Sequence, residues 1–250
     1  MQREALVTYL DNYLGCRTTT DYSDNGLQVE GSDDVIRLAF AVDACQETIT
    51  DAIAGGAQML IVHHGLFWGK VLPLVGPHRR RVQTLLNGGC SLYAAHLPLD
   101  RHPEVGNNAQ LARLLGLTVT GGLGEAFGLP VGVIATAQAP ETRAALVARL
   151  AASLDVTPLV LPGGPELVQR IGIISGGAAR DVAAAAAAGC DTYITGETSH
   201  SSYHDAAEYG INVIYAGHYA TETVGLRALA AHLDARFALP STFINRPTGL

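Results

Sequence analysis

Apolar residues in this chain cluster in short continuous runs, and four of those runs share one phrase. Residues 56–63, 89–96, 189–197 and 210–218 each start at a glycine that closes a helix-like stretch, continue as an apolar run and end on His63, His96, Glu197 and His218. The glycine suits a helix C-cap, where left-handed backbone costs it little. The run after it is too short for a helix and too continuous for a strand wet on one face. It predicts a strand buried on both faces. Residues 35–42 and 170–175 repeat the pattern and end in Asp43 and in Ser175-Gly176-Gly177. Helix and strand alternating at this period predict an α/β fold of largely parallel sheets covered by helices. We expect two similar lobes forming one compact subunit: an N-terminal α/β lobe over 1–120 and a C-terminal α/β lobe over 166–250. A Gly- and Pro-richer excursion over 121–165 joins them, with strand pieces at 132–135 and 157–161 around a helix at 141–153. The first eleven residues predict a surface helix, since Glu4 and Asp11 interrupt what would have to be the apolar core of a secretion signal.

Composition narrows the partners. With 250 residues, 48% of them hydrophobic, the chain can bury a core without staples. Only 16% are charged, below the usual quarter, so Ala and Gly in subunit contacts are expected and with them a homo-oligomer. A net charge of −7 offers no footprint for nucleic acid. The one basic run, Arg79-Arg80-Arg81, is a solvated helix face or else a contact to the phosphates of a nucleotide. The small-residue stretch 182–188 is bounded by Asp181 and Asp191, and no run is long enough to span a membrane. Four cysteines, far apart and without a C-x-x-C pair, predict reduced thiols in a cytoplasmic protein and exclude sulfur-held zinc.

In parallel sheets ligands bind beyond the carboxyl ends of the strands. Three segments carry metal-ligand chemistry to that edge. His63-His64 closes a strand before Gly65, whose turn can aim both rings at one pocket. His96-x-x-x-Asp100 follows the next strand, with Pro98 preventing ordinary helix. His218-x-x-x-Glu222 lies where Thr221 and Glu222 open a helix continuing through Leu226, Leu229 and Leu233, so residues four apart share a face. His63, His64, Asp100, His218 and Glu222 together suit zinc, iron or manganese, and suffice for two divalent ions per subunit if Glu222 or water bridges them, in a site between the lobes. Burying them without an ion would be costly. Glu197 and His200, with His96, are the candidates for proton transfer; alternatively Glu197 caps a following helix. Ser175-Gly176-Gly177 is a tight turn or a phosphate cradle. Phe67 and Trp68 form a stacking wall for a planar base or pack on a neighbouring subunit. His78, His102, His204 and His232 are expected at the surface.

Six ordered motifs, at 25–29, 62–68, 95–100, 106–112, 195–197 and 217–222, resemble the Nif-three-like family, often labelled GTP cyclohydrolase 1 type 2 homologues. The resemblance implies a two-lobed α/β subunit in a toroidal hexamer with dinuclear metal sites facing the interior, and places the ligands on His63, His64, Asp100, His218 and Glu222. It implies a metal-dependent hydrolase in which a metal-activated water attacks a purine nucleotide, so a nucleotide or other phosphate-containing small molecule is the expected ligand. A phosphoesterase or a non-enzymatic metal-binding scaffold or chaperone fits the same residues. The chain departs from the usual motif at Leu97, where the family commonly has Thr after the histidine.

Overall fold

Each of the four repeated phrases forms a strand, as the uninterrupted apolar runs require. In the computed structural model, which describes residues 1–250, two helix-covered sheets make a mixed α/β fold. The chain runs α1 (Arg3–Leu14), β1 (Gly26–Val29), β2 (Leu38–Asp43), α2 (Gln46–Ala54), β3 (Met59–His64), α3 (Gly76–Asn87), β4 (Ser91–Ala94) and α4 (Leu97–Arg101). It continues through α5 (Asn107–Leu114), β5 (Thr118–Leu123), β6 (Gly132–Thr142), α6 (Arg143–Leu154), β7 (Leu159–Pro162), β8 (Leu167–Ile173) and α7 (Val182–Ala187). β9 (Thr192–Thr195), α8 (Asp205–Glu208), β10 (Asn212–Tyr215), α9 (His218–Phe237) and β11 (Ser241–Phe243) complete it.

The compact units are Met1–Val105 with Leu226–Arg246, and Gly106–Gly225 with Pro247–Leu250. The boundaries therefore depart from the expected 1–120, 121–165 and 166–250. Residues 121–165 are no separate excursion, because β6 pairs with β8 and β7 with β10 inside the second sheet. β11 returns to the first unit and pairs in parallel with β2. Sequence proximity could not reveal this return, since a three-residue strand leaves almost no periodic signal.

The first sheet has the order β1-β4-β3-β2-β11, parallel except at β1–β4. Its core includes Leu60, Val62, Leu85, Leu92 and Ala94, all fully buried. The second has the order β5-β6-β8-β9-β10-β7, and only β8–β9 and β9–β10 are parallel. The antiparallel strands extend the sheet on both sides of that parallel trio. Glycine closes the helices before β3, β9 and β10 with positive φ at Gly56, Gly189 and Gly210, as a left-handed C-terminal turn demands. No helix is long and apolar enough to cross a membrane. All four cysteines are free.

Candidate metal centre

Parallel strands deliver their carboxyl ends to one edge, and in the first unit β2, β3 and β4 end side by side there. β2–β3 pairing sets Asp43 opposite His64, and the His64 Nδ1–H donates to Asp43 Oδ1 at 2.8 Å. His63, fully buried, donates from Nδ1 to the Ala95 carbonyl at 2.9 Å. His96, just beyond β4, donates from Nδ1 to Asp21 Oδ1 at 2.9 Å. A carbonyl or an ionised carboxylate can only accept, so each ring keeps its proton on Nδ1 and its lone pair on Nε2. The three imidazoles converge: one ligand nitrogen from each lies within 4.8 Å of the others. Their ring centroids are 4.7 to 5.8 Å apart.

Asp100 joins them from α4, a helical turn that Pro98 permits rather than prevents, because near a helix start its missing N–H has no intrahelical partner to lose. The buried Asp100 carboxylate sits 3.6 Å from His63 Nε2. Two donors each about 2.1 Å from one ion stand roughly 3 to 3.5 Å apart, so this pair would share a cation after closing by about 0.1 Å or more.

Asp21 and Asn25 brace this set from a loop that shows no periodic signal. The Asp21 side chain is almost fully enclosed, takes the Leu97 N–H at 2.9 Å and is clamped by Asn25 Nδ2 at 2.9 Å. Burial pushes its carboxyl up, but the hydrogen bonds from His96, Asn25 and Leu97 outweigh that and hold it at about 2. Asn25 Oδ1 accepts the His96 N–H, and Gln28 Oε1 accepts the Leu66 N–H, so the loop ties down both histidine-bearing turns.

The second unit builds its own set at the ends of β8, β9 and β10. His218 opens α9, three residues earlier than expected, and Glu222 lies one turn on; His218 Nε2 is 3.0 Å from Glu222 Oε1. The His218 Nδ1–H donates to Glu197 Oε1 at 2.6 Å. Burial alone would lower the His218 pKa, but Glu222 and Glu197, one at each nitrogen, raise it to about 9. A ring gripped from both sides by carboxylates is a cation trap. Three glycines leave room for it. A Cβ on Gly176, whose φ is +69°, would come within 2.2 Å of Glu222 Oε1; one on Gly177 would lie 3.3 Å from Glu197 Oε2; one on Gly196 would meet the His218 backbone at 2.7 Å. A nitrogen-and-oxygen donor set, tautomers fixed by outer partners, and glycine where the ligands crowd together fit a divalent cation.

The remaining candidates take these places. Glu197 caps no helix and stands behind His218 instead. His200 is exposed on a 3-10 turn, and no hydrogen bond, ion pair or ring contact links it to His218, Glu197 or Glu222. His96 lies with His63 and His64. Ser175-Gly176 forms the tight turn: Asn108 Oδ1 takes the Ser175 N–H and Thr221 Oγ1 the Gly176 N–H, leaving neither amide for a phosphate. Asn107 Oδ1 accepts the Gly225 N–H, so adjacent asparagines fasten the Ser175 turn and α9. Trp68 meets His96 edge-on at 5.1 Å, while Phe67 packs against His78. Arg79 and Arg80 are exposed and form no ion pair. His102 and His232 are not free surface groups; they flank Tyr13 at 4.4 and 4.1 Å.

The sequence profile of Duf34/NIF3 (NGG1p interacting factor 3) matches residues 1–248. The chain belongs to the Duf34/NIF3 family. A Deinococcus radiodurans relative named GTP cyclohydrolase 1 type 2 homolog is 46% identical over 248 residues, covering 99% of this chain and 94% of the relative. A Pyrococcus abyssi NIF3 relative of the same name is 43% identical, with both chains fully covered. Among solved structures, protein ybgI, of unknown function, superposes with a TM-score of 0.94 at 40% identity, and TTHA1606 from Thermus thermophilus with 0.89 at 45%, each covering 100% of both chains. The motifs that resembled the family in sequence are thus those that carry the candidate ligands and their braces in this NIF3 chain.

Proposed function

We propose that this chain is a dinuclear metal-dependent hydrolase of the GTP cyclohydrolase 1 type 2 kind, with His63, His64, Asp100, His218 and Glu222 supplying the ligands of two divalent cations. One observation carries the reading: every imidazole in the two sets is held at Nδ1 by a carbonyl or carboxylate, so every Nε2 is the nitrogen turned toward a cation, which at His218 would take the place of the proton that Glu222 and Glu197 favour. Donors without sulfur favour zinc, iron or manganese. When bound, such cations supply an acidified water and polarise the substrate atom it attacks.

The chain's own residues do the rest. Asp43 and Ala95 orient His64 and His63, and Glu197 holds His218 by the proton on Nδ1. His96, steadied by Asp21, is the group best placed to accept a proton at Nε2. Glu197 acts through His218, and His200 stays a reserve on its exposed turn. The relatives' shared name supports a purine nucleotide as substrate. We also propose that copies assemble, as a toroidal hexamer, through the apolar loop before α3, where Val71 is 99% and Val75 66% exposed.

The deciding experiment is elemental analysis of never-chelated protein beside its His63→Ala and Glu222→Ala variants, followed by GTP turnover monitored for loss of the C8 carbon. About two ions per subunit in the parent, with fewer ions and no turnover in both variants, is the expected outcome. Release of phosphate with C8 intact would make the chain a phosphoesterase. Stoichiometric metal without turnover would make it a scaffold, and undiminished turnover in Glu222→Ala would overturn the hydrolase reading.

A further inference from the structure

In the second unit, the hairpin between β5 and β6 turns in two residues. Ala126 and Leu129 bond to each other in both directions, at 3.0 and 3.2 Å, and Phe127 and Gly128 between them have φ of +54° and +76°. Positive φ at both central residues is the signature of a type I′ turn, whose first place suits Asn, Asp or Gly. A phenylalanine there is an outlier, because in left-handed backbone its Cβ crowds the following carbonyl. Burial does not explain the choice, since Phe127 is 44% exposed and Leu129 49%.

The tip rises from the sheet edge that carries the His218 and Glu222 set. β6 leaves it at Gly132 and pairs antiparallel with β8, Val133 opposite Ile173, so the tip projects where β8 ends and the Ser175-Gly176 turn begins. Asn108, fully buried, joins the two: its Nδ2 donates to the Val131 carbonyl at 2.9 Å while its Oδ1 takes the Ser175 N–H at 2.7 Å. The same turn brings Gly176 against Glu222. A strained residue held that firmly beside a candidate site keeps its ring for something other than the stability of the hairpin. Its chemistry narrows what that is. Glu125 is the one charged residue between Gly124 and Val131, so the tip gives phosphate no attraction, and a phenyl ring offers a planar face without a hydrogen bond.

We propose that Phe127 is a specificity-determining residue of this centre, stacking on the planar base of a purine nucleotide held at the His218 and Glu222 set. The inference rests on the hydrolase reading for its substrate class and adds the group that selects the base.

GMP and ribose 5-phosphate, which differ only in the base, test it when titrated calorimetrically into zinc-loaded protein. The parent should bind GMP roughly tenfold more tightly, the size of one base–aromatic stack. Phe127→Asn should lose that advantage while keeping its metal content and its affinity for ribose 5-phosphate. It should also raise the thermal midpoint of the metal-free protein by roughly 2 to 4 °C, because Asn accepts left-handed backbone. Phe127→Tyr, which keeps the ring, should bind GMP as the parent does. Equal or undetectable binding of the two ligands by the parent, or unaltered GMP affinity in Phe127→Asn, would overturn the proposal. So would a fall in metal content, in ribose 5-phosphate affinity or in midpoint in that variant, or equal weakening by Phe127→Tyr. Absence of GTP turnover with the binding pattern intact would instead sink the hydrolase reading alone.

Discussion

The two units solve one problem by different means. Each sets three adjacent parallel strands, β2-β3-β4 in one and β8-β9-β10 in the other, so that their carboxyl ends bring candidate ligands and the groups that brace them to one edge. Beyond that trio they diverge, the first sheet staying parallel but for an edge strand, the second adding antiparallel strands on both sides. The ligand sets differ likewise. The first relies on clustered imidazoles with oxygens behind them; the second has one imidazole between two carboxylates, packed on glycine.

That contrast can be broken most forcibly at Gly176. Gly176→Ala forces a side chain into left-handed backbone, at about 1 to 2 kcal/mol, and drives its Cβ onto Glu222. Urea unfolding of the metal-free protein should register the strain, and elemental analysis should show metal lost. In the first set the crowded glycine is Gly65, whose Cβ would meet the Gln28 brace and Ala94 and not a candidate ligand, so the vulnerable points there are the outer partners. Asp43→Asn and Glu197→Gln should each weaken metal binding by about 10- to 100-fold, measured by chelator competition, with little change in the melting of the apo-protein.

A smaller effect separates Asp21 from the ligands. Its carboxyl is held at about 2 against an ordinary 3.8, so ionised Asp21 stabilises the fold by about 2 kcal/mol above pH 4. The folded value is the depressed one, so that stability is lost as pH falls from about 4 towards 2. Chelated Asp21→Asn should therefore be less stable than the parent by about that amount at pH 7 and equal to it near pH 2, in denaturant titrations at each pH. The smallest effect concerns the thiols. Burial pushes Cys16, Cys90 and Cys190 up to about 11, leaving roughly a thousandth of each as thiolate at pH 8, whereas Cys45 is only half-buried. Alkylation of the native protein, followed by mass spectrometry, should mark Cys45 alone.

Much of this was legible in the sequence wherever strand ends carried chemistry. The repeated glycine, apolar run and terminal His or Glu located β3, β4, β9 and β10, and the i,i+4 spacing placed His218 beside Glu222. What escaped notice depends on contacts distant in the chain. Asp21 reaches His96 across 75 residues from an irregular loop. Asp43 stood in plain view at the end of β2, yet its bond to His64 exists only once the β2–β3 register is set. Glu197 reads in the sequence as a proton-transfer candidate or as the cap of a following helix; its partner His218 opens α9, just beyond the next strand.

The outer bonds to Nδ1 also fix the order of events. Strand pairing makes them, as Asp43 opposite His64 illustrates, so the rings are aimed before any cation arrives. A metal taken up there would bind an already folded chain and add stability by mass action, growing with the logarithm of its free concentration. This is unlike a zinc finger, whose fold waits for its ion. On that reading the folded chain would act as a receptor, and what it carried would be set by whichever divalent cation its surroundings offer in greatest effective supply.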